Sequence, residues 1–204
     1  MSVQIVTGVP LPPVNKKEVL RYAGVRTADE QTEARLAVCE EMLLPLLFPR
    51  ACYRSLALTR TEDALSFGGA HTCSLSLRRA LSECDSVLLF GATLGLAVDR
   101  LIARQAALSP ATALLLDALA VERIEAFCDT VCAELSAKYA AEGVSLRPRF
   151  SPGYGDLPLA LQRDMLSLLE LPKSIGITLN ESLLMTPQKS VTAIIGIKKE
   201  PNPL

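Results

Sequence analysis

The chain has 204 residues, half of them apolar, and a formal net charge of −1. That length can bury a core without disulfides or structural metal, and the composition excludes a largely disordered chain. The near-neutral charge gives no field for a polyanion, no apolar run reaches the ~18 residues of a membrane span, and the first residues lack the pattern of a signal peptide, so the expectation is a cytoplasmic protein with neither nucleic acid nor membrane as partner.

Residues 1–14 are Pro-rich and are expected to run extended, on the surface or along a sheet edge. Asn15 with Glu18 is a capping pattern and Gly24 a stop, predicting a short helix over 16–23. Thr27 with Glu30 opens a longer helix whose apolar positions Ala34, Val38, Met42 and Leu43 recur at helical spacing, until Pro45 and Pro49 end or bend it. Strands are predicted over 52–59 and 63–73, the second with Gly68-Gly69 as a turn or bulge. Ser74 caps a helix over 75–83. The clearest buried strand is SVLLF, 86–90, with GATLG at 91–95 as the turn into a helix over 96–106.

Ser109-Pro110 starts a long helix to about residue 141. Leu115, Leu119, Ile124, Phe127, Val131 and Leu135 form its apolar face, and Asp117, Glu122, Arg123, Asp129, Glu134 and Lys138 its polar one. Residues 146–158 carry too many breakers for regular structure. A helix over 159–170, strands over 174–178 and 189–197 and a polar tail, 198–204, complete the chain. Strands and helices interleave without the spacing of a regular βαβ array. The fold class expected is therefore α+β: a mixed, largely antiparallel twisted sheet flanked by helices, one of them long, in a single domain spanning 1–204.

Six cysteines form no CxxC pair, and Cys128 and Cys132 share a helix face as packed, reduced residues. With His71 the only histidine, no metal site and no catalytic triad is expected, which leaves a Ser or Cys hydrolase poorly supported. GATLG falls short of a dinucleotide fingerprint and has no Walker lysine. Two segments carry more chemistry. In Arg147-Pro-Arg-Phe-Ser-Pro-Gly-Tyr-Gly-Asp156, prolines pre-shape a turn that offers guanidinium groups able to clamp a carboxylate. Around Glu181 and Ser182, polar residues interrupt two apolar strands, and Glu181 is placed to orient a ligand amine or Arg149.

Together these segments carry a resemblance. Arg149-Phe-Ser-Pro-Gly-Tyr154 resembles the R-P-A-P-G-Y signature of the activation (reactivation) domain of cobalamin-dependent methionine synthase. LNESLLMTPQKSVTAIIGI, 179–197, resembles that family's L-T-E-S-x-x-M-x-P-x-x-S-V-S-G strand. Upstream, NKKEVLRYAG, SVLLFGATLG and the long helix resemble small stand-alone members. The resemblance implies a stand-alone activation subunit without catalytic residues of its own. It would bind S-adenosylmethionine and dock on a cobalamin-bearing methionine synthase that lacks its own activation domain, with flavodoxin or another donor supplying the electron. It assigns S-adenosylmethionine binding to Arg149, Ser151, Gly153, Tyr154, Glu181 and Ser182, and a corrinoid-facing position to Tyr154, Glu122 and Glu125. The departures are Phe150 for a proline, Thr186 for an aromatic residue and Ala193–Gly196 for an aromatic-rich strand. The alternative reading is a corrinoid-protein adaptor, or an activator of another corrinoid methyltransferase, that has lost the ligand.

Overall fold

In the computed structural model, residues 2–199 are described. The N-terminal arm contributes a short edge strand, β1 (Gln4–Val6), then crosses to the long helix. Asn15 caps α1 (Lys16–Tyr22) by accepting the Glu18 N–H, and Asp29 caps α2 (Glu30–Leu43) by accepting that of Thr32. The stripe of α2 that turns inward is Leu36, Cys39 and Leu43, while Ala34 and Val38, expected in the core, are exposed. Packing of α2 on the long helix, with Cys39 Sγ against the Thr112 carbonyl, selects that stripe.

Next come β2 (Arg50–Ala57), β3 (Thr59–Arg60), and the hairpin of β4 (Leu65–Phe67) and β5 (Ala70–Thr72), which turns at Gly68-Gly69, both at positive φ. After α3 (Leu75–Ala80) comes β6 (Ser86–Thr93). β6 runs on through Gly91, Ala92 and Thr93, so the expected turn begins only at Leu94-Gly95. It leads into α4 (Leu96–Leu108) and the 31-residue α5 (Pro110–Ala140), with Ser109 as N-cap and Pro110 in the first turn.

The chain returns through β7 (Val144–Leu146), a loop, a 3-10 turn, α6 (Gln162–Leu168) and α7 (Leu171–Ser174). The strand expected over 174–178 is not formed there. Ile175 and Ile177 are buried, but Gly176 at φ +76° breaks the extended run, leaving only β8 (Thr178–Leu179) paired with β9 (Met185–Thr186). The last strand, β10 (Ser190–Lys199), takes in Lys198 and Lys199, expected in the tail, while 200–204 lie outside the described residues.

The main sheet has the order β1-β2-β6-β10-β7, and every pairing in it is antiparallel. Its two faces are both covered, which explains the uninterrupted apolar runs of β6 and β10. On one face Leu88, Phe90, Ala193 and Ile195 pack against α1, α2, α4 and α5. On the other, Val87, Leu89 and Ile194 pack against α3, α6, α7 and the β4–β5 hairpin.

One region of the polar face predicted for α5 is corrected. Glu122 and Arg123 are 5% and 2% exposed. They form a two-bond ion pair, 2.5 and 2.6 Å, sealed by the N-terminal arm. Arg123 donates to the carbonyls of Pro12 and Pro13, and Glu122 accepts the Asn15 N–H. A helical projection does not show that cover because it comes from more than a hundred residues away. Glu122, expected to face a corrinoid, faces the arm instead.

Candidate functional site

A cleft of about 870 Å³ opens between the outer face of α5, the 146–154 segment and the start of β10. That volume lies within the ~300–1,000 Å³ of small-molecule sites. The segment is shaped from both ends. At its entrance it runs beside β10: the Arg147 N–H donates to the Gly196 carbonyl, and Phe150 and Ile194 exchange both backbone bonds, at 2.9 and 2.8 Å. At its exit Asp156 caps α3, accepting from the Ser74 hydroxyl and from the N–H groups of Leu75 and Ser76. The Ser74 hydroxyl holds the Asp156 carboxyl well below the usual carboxylate range against partial desolvation, with the two N–H bonds adding to it. Between these anchors Gly153, at φ +88°, turns the chain, and the Tyr154 N–H donates to the Ser151 carbonyl.

Arg149 rises from this turn toward α5. Its Nη2 donates to Glu125 Oε2 at 2.9 Å and Asp129 Oδ1 at 2.8 Å, two carboxylates one helical turn apart. Nε and Nη1 have no acceptor among the described residues. Because Phe150 turns its backbone to β10, its neighbours Arg149 and Ser151 turn theirs away. Tyr154 stands 72% exposed at the mouth, its ring edge-on to Phe150 at 5.8 Å. Below Arg149, burial pushes the Cys128 thiol up, and it pushes Cys132, which lines the cleft, up to about 11. Both are therefore neutral near pH 7 and poor nucleophiles.

Of the residues expected at the site, Arg149, Ser151, Tyr154 and Glu125 line this cleft, and Gly153 shapes the turn without lining it. Glu181 and Ser182 do not reach it. They sit exposed at the tip of the β8–β9 hairpin, where the Glu181 carbonyl accepts from Arg163, and only Met185 of that segment lines the cleft. His71 lies outside, paired through Nδ1 with Ser66 Oγ across its hairpin. No group of three or more His, Cys, Asp or Glu among the described residues is placed to hold a metal ion. No helix among them is long and apolar enough to cross a membrane.

Two cleft residues carried no signal in the sequence. Thr192 and Gln162 are 3% and 7% exposed, and Thr192 Oγ1 and Gln162 Oε1 have no hydrogen-bond partner. A threonine in a strand is an ordinary β-former and a glutamine opening a helix is ordinary surface, so only the fold makes them notable.

The family model for the activation domain of vitamin B12 dependent methionine synthase matches residues 78–202. No curated protein matches the chain in sequence. Among solved structures, the crystal structure of the MetH reactivation domain bound to AdoHcy is similar to it, with a TM-score of 0.69 at 18% identity, covering 100% of this chain and 80% of that one. The likeness lies in the fold: a curled antiparallel sheet, flanking helices and one long helix.

Proposed function

The chain belongs to the vitamin B12 dependent methionine synthase activation domain family, and from that premise we propose that it acts as a separate activation subunit. In this reading it binds S-adenosylmethionine in the cleft and docks on a cobalamin-bearing methionine synthase that lacks its own activation domain. The observation that carries the reading is the meeting of Arg149, Glu125 and Asp129 on one wall of a cleft of ligand size. The ligand's amino-acid end carries both a carboxylate and an ammonium, and beside them lies a sulfonium. Arg149 has donors left for the carboxylate, and the two acidic side chains lower the potential around the cations. Ser151 offers backbone groups, Gly153 sets the turn, and Tyr154 faces the docked corrinoid.

The chemistry is a methyl transfer. A cobalamin carried by the docked partner, once reduced by flavodoxin or another electron donor, would supply the electron pair that accepts the ligand's methyl group, leaving S-adenosylhomocysteine in the cleft. This chain's part would be position: Arg149 would hold the carboxylate, Glu125 and Asp129 would sit near the cationic groups, and the 149–154 turn would present the sulfonium methyl toward the partner, with no proton to move.

The test mixes the protein with a methionine synthase deleted for its own activation domain and loaded with cob(II)alamin, together with S-adenosylmethionine and a reductant. Methylcobalamin absorbance should rise severalfold over the partner alone, and no rise refutes the proposal. A second reading, an adaptor without ligand, draws on the engagement of Arg149 by Glu125 and Asp129. Calorimetry with S-adenosylmethionine that stays silent while the partner binds selects it.

A further inference from the structure

We propose that Asp117 and Lys189 are positioning residues for ligand binding: their ion pair holds the connection between β9 and β10 against α5 and so sets one wall of the cleft. The inference rests on the reading that the cleft takes an adenosyl ligand, and it gives a role in binding to two residues that do not line the cleft themselves.

The observation starts with the 186–189 connection. Met185 and Ser190, which flank it, both line the cleft. The local hairpin does not fix their place, because β8 and β9 pair over two residues each and end in an exposed tip, and a two-stranded ribbon of that size has little stability of its own. What fixes the connection comes from distant parts of the chain. The Gln188 N–H donates to Asp99 Oδ2 of α4 at 2.8 Å, and the Leu94 N–H donates to the Lys189 carbonyl at 3.0 Å. The Ser190 hydroxyl donates to the Pro187 carbonyl at 2.7 Å and meets the Thr93 hydroxyl at 2.9 Å.

The ion pair is the link to α5. Lys189 Nζ donates to Asp117 Oδ1 at 2.6 Å, and the lysine side chain is only 12% exposed. An ammonium held that far from water depends on its carboxylate; without it the side chain would swing toward solvent and draw its neighbours Gln188 and Ser190 along. Asp117, Glu125 and Asp129 stand in one row of α5 at multiples of four residues, with Val121 completing the row. The same row therefore grips two segments, the 149–154 turn through Arg149 and the β9–β10 connection through Lys189. Both segments contribute to the lining of the cleft. Releasing the second grip lets one wall shift against the other, and a ligand that touches both loses affinity while the core beneath stays intact.

The experiment is calorimetry on the intact protein with S-adenosylmethionine, which is a net cation, and with S-adenosylhomocysteine, which is net neutral. Asp117→Asn and Lys189→Met should each weaken both ligands about three- to tenfold, and the double variant should weaken them no further, because the two residues act as one unit. Lys189→Arg, which keeps a cation on Asp117, should stay within about twofold of wild type. A role through charge alone gives a different pattern: Asp117→Asn weakens S-adenosylmethionine, Lys189→Met tightens it, and S-adenosylhomocysteine hardly responds. Melting curves confirm that each variant is folded, and the double variant, which leaves no unpaired charge, keeps the test decisive should a single variant fail to fold. The charge-alone pattern, or folded variants that bind both ligands as wild type does, refutes the positioning role while the adenosyl reading stands. If wild type binds neither ligand, the adenosyl reading falls and takes the positioning role with it.

Discussion

Replacing Arg149 with alanine should change the affinity for two related ligands in opposite directions. Both acidic contacts of Arg149 are made through Nη2, so Nε and Nη1 remain for a ligand carboxylate. A hydrogen bond of that charged kind is worth about 1.5–3 kcal/mol, which is roughly 10- to 150-fold in affinity. The same substitution uncovers Glu125 and Asp129, whose attraction for a ligand cation a few ångströms away at a partly hydrated site is on the order of 1 kcal/mol. For S-adenosylmethionine the loss dominates, and with the gain set against it Arg149→Ala should weaken binding about 2- to 30-fold. For decarboxylated S-adenosylmethionine, which has both cations and no carboxylate, only the gain remains, and binding should tighten up to about fivefold. Fold stability should barely change, because Glu125 and Asp129 are 42% and 74% exposed and such pairs contribute about 0–1 kcal/mol. Titration calorimetry of wild type and variant with both ligands decides the matter. Equal factors for the two ligands, or no change in either, would refute the placement of the amino-acid end at Arg149.

Glu122→Ala leaves the Arg123 charge buried with only two carbonyl partners, so it should cost about 3–5 kcal/mol and lower the melting temperature by roughly 6–20 °C in a thermal scan. The depressed Asp156 carboxyl contributes stability that is complete above the ordinary carboxylate pKa of about 4 and is lost as pH falls below it toward its folded value. Melting curves from pH 6 downward should therefore show wild type losing its advantage over Asp156→Asn in that acid range, and a constant gap would count against the cap. Gly196→Ala brings a Cβ to 2.6 Å from Cys84 Sγ and 3.0 Å from Arg147 Cγ. It should cost about 1–3 kcal/mol in urea unfolding and, by displacing the segment that walls the cleft, weaken ligand binding as well.

What could be read in advance divides by how local its cause is. The length of α5 was legible because Ser109 and Pro110 mark its start and Gly143 its end with no breaker between. The turn at 149–154 was legible for the same reason, since Pro148, Pro152 and Gly153 act on their own backbone. The burial of Glu122 and Arg123 was not, because a remote arm supplies the cover. The β-branched run around Ile175 was misleading, since Gly176 and the preceding helical turn override it. Likewise the polar pair Glu181-Ser182 lies close to the cleft in sequence, yet the β8–β9 hairpin carries it to an exposed tip.

β10, the final described strand, is threaded between β6 and β7 in the interior of the sheet. A nascent polypeptide halted before Ser190 would hold β6 as a bare ribbon, greasy on both sides, with nothing along one flank. Such ribbons invite sticking to other copies. Synthesis must reach the closing strand before the molecule is safe from aggregation, and that same strand completes the cleft. Partial products should therefore go to chaperones and proteases, and every copy that escapes them should carry a finished cleft.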